Sequence, residues 1–92
     1  MNDQTDFGAA ADKMVELYSQ AFGGKQKGRY RIAVKLVRQL TGRRRLYEDD
    51  VTTLTRELLE RGFVLVDMDS FFVVMAANTF LNYRRVNESC VV

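Results

Sequence analysis

Apolar positions recur at intervals of three and four along the first two thirds of the chain, then at intervals of two. In DFGAAADKMVELYSQAF, residues 6–22, Phe7, Ala10, Met14, Leu17, Tyr18 and Ala21 follow the helical interval, with Asp6 placed as a cap. Gly23-Gly24 closes that predicted helix, and the polar loop GGKQKG follows. YRIAVKLVRQLT then repeats the helical interval until Gly42, and on a helical wheel Ile32, Ala33, Leu36, Val37 and Leu40 form one broad apolar face. A third helix is predicted over YEDDVTTLTRELLERG, residues 47–62. Glu48, Asp49 and Asp50 suit its N-terminus, Gly62 suits its C-cap, and Val51, Leu54, Leu58 and Leu59 turn inward. Arg56 and Glu60, and Glu57 and Arg61, stand at the spacing of surface ion pairs.

The interval then becomes strand-like. FVLVDM (63–68) and FFVVMAA (71–77) are rich in β-branched and aromatic residues, with a tight hairpin around Asp69-Ser70. In the second strand Phe71, Val73 and Met75 share one face while Phe72, Val74 and Ala76 share the other. Both faces are apolar and both need cover, one from the helices and the other from the C-terminal segment or a second subunit. Phe71, Phe72 and Val74 are therefore candidate interaction residues, and a homodimer is one expectation. NTFLNYRRV supplies a short C-terminal helix started by Asn78, with Phe80, Tyr83 and Val86 inward and Arg84 and Arg85 outward.

These elements predict a single α+β domain over residues 1–92, ordered over 6–86 and frayed at 1–5 and 87–92, with a three-helix core followed by a β-hairpin. In element order and spacing, roughly residues 6–77 resemble the winged helix-turn-helix fold. The resemblance implies DNA contact through the third helix and the hairpin.

Composition narrows the function. With 47% hydrophobic and 28% charged residues, the chain can bury one small core. A net charge of +2 creates no strong whole-molecule field, so any attraction to a polyanion must come from charge placement. That placement is uneven. Residues 25–45 hold nine of the fourteen basic residues and none of the twelve acids. There is no histidine and one cysteine, Cys90, which excludes an internal disulfide, a Cys/His metal set and His-based triad chemistry. MNDQTDFGAA has neither a basic leader nor an apolar run, and no apolar stretch approaches the roughly 20 residues of a membrane helix. Cys90 stands third from the end, one place off the prenylation box. A cytoplasmic protein with no membrane contact, cofactor or metal is expected.

Two motifs invite catalytic readings. Gly23-Gly-Lys-Gln-Lys-Gly28 reproduces the glycine spacing of a P-loop, but Arg29-Tyr30 stands where Lys-Ser/Thr is required, and a helix precedes it instead of a strand. VLVDMDSFF is similar to the first metal-binding motif of the Y-family DNA polymerases, a resemblance that makes Asp67 a metal carboxylate and Phe72 the aromatic sugar gate. Ala76 replaces the acid of that pattern, and only Glu88 follows the hairpin, whereas two-metal chemistry needs carboxylates from several elements. No enzymatic activity is expected.

The basic run remains. On the predicted second helix Arg31, Lys35 and Arg38 form a stripe about 60° wide opposite the apolar face. Arg29 would precede it, with Arg43, Arg44 and Arg45 extending it past the helix end. Arginine forks suit phosphate oxygens. The outer face of the third helix and the hairpin tip are acidic, so Thr52, Thr53 and Arg56 would contribute only an edge. The expected function is nucleic-acid binding, DNA first, with transcription regulation as the expected role, through Arg29, Arg31, Lys35, Arg38, Arg43, Arg44 and Arg45 and with little base readout. The alternative is a protein-interaction module that meets an acidic partner through the basic face or another chain through the apolar hairpin.

Overall fold

The computed structural model describes residues 5–92, with side chains from Phe7 onward. The element order is α1 (Thr5–Tyr18), β1 (Tyr30–Ala33), α2 (Val34–Thr41), α3 (Glu48–Glu60), β2 (Phe63–Asp67) and β3 (Phe71–Ala76), followed by two 3-10 turns, Ala77–Asn82 and Glu88–Cys90. The sheet is antiparallel with spatial order β1-β3-β2. Three helices on one face of a small sheet whose last two strands form a hairpin make an α+β, winged-helix-like arrangement, as the hydrophobic pattern implied. No helix among the described residues is long and apolar enough to cross a membrane.

Alternation explains the sheet. Tyr30 and Ile32 are buried, as are Phe72 and Val74 of β3 and Leu65 of β2. With period-2 geometry these side chains share the inner face. There they meet Phe7, Ala10, Ala11 and Met14 of α1, Val37 of α2, and Leu54 and Leu58 of α3, in one continuous core. The phenol of Tyr30 donates to the Met14 carbonyl at 2.7 Å, and burial pushes its pKa up. Tyr30 is thus a core residue joining β1 to α1.

The chain departs from expectation in four places. First, Tyr30–Ala33 is a strand, because Arg31 and Ile32 pair with Val73 and Phe72 and complete the free edge of β3. The helix is thereby shortened to Val34–Thr41 and its inward side shifts to Val37, Thr41 and half-buried Val34 and Leu40, leaving Leu36 47% exposed. Second, α1 ends at Tyr18, well before Gly23-Gly24. Those glycines have φ of 59° and 82° and form a two-residue turn closed by reciprocal 3.0 Å bonds between Phe22 and Lys25. Positive φ at both positions is the requirement of such a turn, and glycine meets it without steric cost. The Asp6 side chain expected to cap α1 lies outside the described residues.

Third, α3 buries Leu54 and Leu58 but leaves Leu59 57% exposed. Its start is held by the Tyr47 N–H donating to the Asp50 carboxylate at 2.9 Å. Of the two expected surface pairs, Glu57–Arg61 forms at 2.8 Å, whereas Arg56–Glu60 is not an ion pair. Fourth, the C-terminal 3-10 turn over Ala77–Asn82 stands off the core. Tyr83 and Val86 do not turn inward but are 60% and 73% exposed. The radius of gyration is 15.0 Å, against about 12 Å for a compact chain of this length.

Candidate nucleic-acid interface

The run from Lys25 to Arg45 folds through a loop, a strand, a helix and a second loop, so it forms several basic groups in place of one helical stripe. Arg31 leaves the expected stripe because it belongs to β1, on the sheet face away from the core, with its guanidinium 5.3 Å from the Phe71 ring centroid. The stripe on α2 therefore reduces to Lys35 and Arg38, three residues apart and on neighbouring turns.

The first group surrounds the turn between α1 and β1. Lys25, Lys27, Arg29 and Arg31, with Phe22 and Gln20, line an open cleft of about 580 Å³. Its position is set by the Gly28 N–H, which donates to the Tyr18 carbonyl at 2.8 Å and ties the loop to the last residue of α1. Lys25 and Lys27 join this group although they are not among the residues singled out above. Their sign was visible in GGKQKG, but the loop's return onto the end of α1 depends on the tight glycine turn.

The second group follows from the end of α2. Gly42, at φ 74°, caps the helix in the left-handed conformation, and its N–H returns to the Arg38 carbonyl. Buried Thr41 accepts the Arg43 N–H at 3.4 Å and donates to the Arg38 carbonyl at 3.2 Å. These bonds hold the start of the triple-arginine loop against Arg38. Arg43 then turns back to the fold: its guanidinium lies 5.1 Å from the Phe7 ring centroid and 3.8 Å from the Asp50 carboxylate, with Nε buried and unpartnered. Arg44 and Arg45 are exposed. The three consecutive arginines thus divide into one packing residue and two that face water.

The two groups lie near opposite ends of α1. Arg43 stacks on Phe7, whereas Gly28 bonds to Tyr18, and those positions are about 16 Å apart along a helix axis. Apart from the long Arg43–Asp50 contact, none of the nine basic residues makes an ion pair with a carboxylate among the described residues. The basic groups are anchored at opposite ends of α1 and, Arg43 apart, are not ion-paired among the described residues.

Elements that meet DNA in the fold this chain resembles have the opposite sign here. Exposed Glu48, Asp49 and Glu60 line α3 beside Thr52 and Arg56, and the Thr53 hydroxyl donates to the Asp49 carbonyl at 2.9 Å. The hairpin tip exposes Asp67 and Asp69. There the Asp67 carboxylate accepts the Asp69 N–H at 2.8 Å, so its immediate role is to shape the turn. Phe72, cast as a sugar gate by the polymerase-like motif, is buried at 2% exposure, and no cluster of three or more His, Cys, Asp or Glu residues suited to a metal occurs among the described residues.

Phe72 and Val74 are equally unsuited to the interaction role expected of them, since both are core side chains of the inner sheet face. Only Phe71 of that trio lies on the outer face, where alternation places Val73 and Met75 beside it. Comparison of the chain with protein-family models, curated proteins and solved structures finds no match, and its classification rests on its own architecture, that of a small α+β domain of winged-helix-like order.

Proposed function

We propose that this chain is a small nucleic-acid-binding domain that grips the phosphates of duplex DNA through α2 and the two basic loops, with little reading of base sequence. The observation that carries this reading is that, among the described residues, Lys25, Lys27, Arg29, Arg31, Lys35, Arg38, Arg44 and Arg45 form no ion pair with a carboxylate. Groups anchored at opposite ends of α1, at positions about 16 Å apart along its axis, suit a polymer that presents phosphates at regular intervals better than a single small anion. Arginine and lysine on phosphates position a protein without specifying bases. Acidic α3 and the acidic hairpin tip would be repelled by the backbone, which favours docking through α2 over insertion of α3 into the major groove. Arg43 supports the loop, while Thr52, Thr53 and Arg56 form at most an edge. No catalytic role belongs to this reading.

Fluorescence polarisation of a labelled duplex tests it. The intact chain binds at low salt, and combined Lys35→Ala, Arg38→Ala, Arg44→Ala and Arg45→Ala substitutions remove most of the affinity, whereas Arg56→Ala has little effect. Failure of the intact chain to bind at low salt, or equal binding by the fourfold variant, would rule out this interface.

A further inference from the structure

The basic cleft at the turn between α1 and β1 holds one group that phosphate binding does not use, the ring of Phe22. Phe22 is 43% exposed and stays outside the core, against which Leu17 and Tyr18 still pack. Its position is nevertheless fixed. Its backbone pairs with Lys25 across the Gly23-Gly24 turn through two 3.0 Å bonds, and its ring meets that of Tyr30 edge to face with centroids 5.6 Å apart. Tyr30 is buried and tied to the Met14 carbonyl, so an exposed aromatic ring rests on a rigid support.

Two cavities share that ring. Phe22 lines the basic cleft of about 580 Å³ together with Lys25, Lys27 and Arg29. It also lines, with Leu17, Ile32 and Leu36, an apolar groove of about 280 Å³, where Leu36 is 47% exposed. A nucleotide is divided in the same way, into a flat base with a π-face and an anionic phosphate. In a duplex the base faces are covered by their neighbours, so an unpaired base is the one that can offer a face to a side chain.

We infer, resting on the phosphate-binding reading above, that Phe22 is a stacking platform for an unpaired nucleotide at the end of a bound duplex. The base stacks on the Phe22 ring at the apolar groove, and the phosphates beside it lie against Lys25, Lys27 and Arg29. The favoured target is then a duplex with a single-stranded extension. Stacking adds affinity without reading sequence, because every base has a π-face.

Competition between a blunt duplex and the same duplex carrying a short oligothymidine extension, prepared in either polarity, tests this. The intact chain prefers the extended duplex of at least one polarity by about tenfold, equivalent to roughly 1.4 kcal/mol. Phe22→Leu keeps an apolar side chain without a π-face and removes the preference, with far-ultraviolet circular dichroism confirming the fold; Phe22→Trp retains it. The chain has no tryptophan, so the Phe22→Trp variant carries a single indole. Its fluorescence is quenched by the extended duplex, but not by the blunt duplex or by thymidine monophosphate at the same concentration. Equal affinity of the intact chain for blunt and extended duplexes, or a preference that survives Phe22→Leu, would overturn the stacking role while leaving duplex binding in place. Equal quenching by thymidine monophosphate would overturn the strand extension as the target. Failure to bind either duplex at low salt would remove the phosphate-binding reading and the platform with it.

Discussion

Replacing Arg61 by alanine removes the side chain that ties α1 to the end of α3. Its Nε donates to Asp12 at 2.8 Å, its Nη1 donates to both the carboxylate and the carbonyl of Glu57 at 2.8 Å, and its Nη2 reaches the Gly8 carbonyl at 3.4 Å. Asp12, first, and Glu57 raise the guanidinium pKa further, so it remains charged throughout the accessible pH range. The magnitude must be discounted because the Asp12 side chain is 72% exposed. Each of the two ion pairs contributes about 0.5 kcal/mol at such exposure. The two backbone bonds together contribute about 1 kcal/mol, the Gly8 bond being long. Arg61→Ala therefore costs about 2 kcal/mol and lowers Tm by roughly 10 °C in a domain of this size. Thermal unfolding followed by circular dichroism measures the loss. A double-mutant cycle with Asp12→Ala isolates about 0.5 kcal/mol of coupling, which declines with salt. A Tm shift below about 2 °C, or no coupling to Asp12, would refute the clamp.

Three further outcomes follow from individual side chains. Tyr30→Phe costs about 1 kcal/mol in chemical denaturation through loss of its bond to Met14. Because the folded phenol has a raised pKa, its stabilising contribution is present below the ordinary value near 10 and declines as pH rises above it; Tyr30→Phe removes that component of alkaline destabilisation. Asp69, at φ 74°, occupies the centre of a turn closed by the Ser70 N–H to the Met68 carbonyl, so Asp69→Gly gains about 0.5 kcal/mol by thermal unfolding while also strengthening duplex binding at low salt. Arg43→Ala lowers Tm by several degrees through lost contacts with Phe7 and Asp50, whereas Arg44→Ala and Arg45→Ala leave Tm nearly unchanged and weaken duplex binding; thermal scans paired with polarisation titrations distinguish these effects.

The elements legible in the sequence were those whose signal is local. Leu54 and Leu58 at helical spacing, preceded by three acids, identify α3; alternating β-branched and aromatic residues around Asp69-Ser70 identify the hairpin. β1 escaped because YRIA fits either period over four residues, and its choice is made by pairing with Phe71–Val74, some forty positions later. Once those residues enter the sheet, α2 starts at Val34 and Leu36 rotates outward, which also dissolves the stripe joining Arg31 to Lys35. The absence of acids between Lys25 and Arg45 was visible from composition, but its division into groups depends on the glycine turn at Gly23-Gly24 and the return of Arg43 onto Phe7. Neither contact leaves a periodic trace.

The salt dependence of duplex affinity tests the central electrostatic claim most directly. Contacts from Lys35, Arg38, Arg44 and Arg45 alone would give a slope of about −3.6 in log K against log salt, corresponding to a loss of roughly 150-fold between 50 and 200 mM. Contacts from the first loop would steepen it, and removing those four side chains would flatten it by about the same amount. A slope of at least that size which falls by about 3.6 in the fourfold variant is the predicted result; a slope near zero, or one unchanged in the variant, would contradict phosphate binding through this surface.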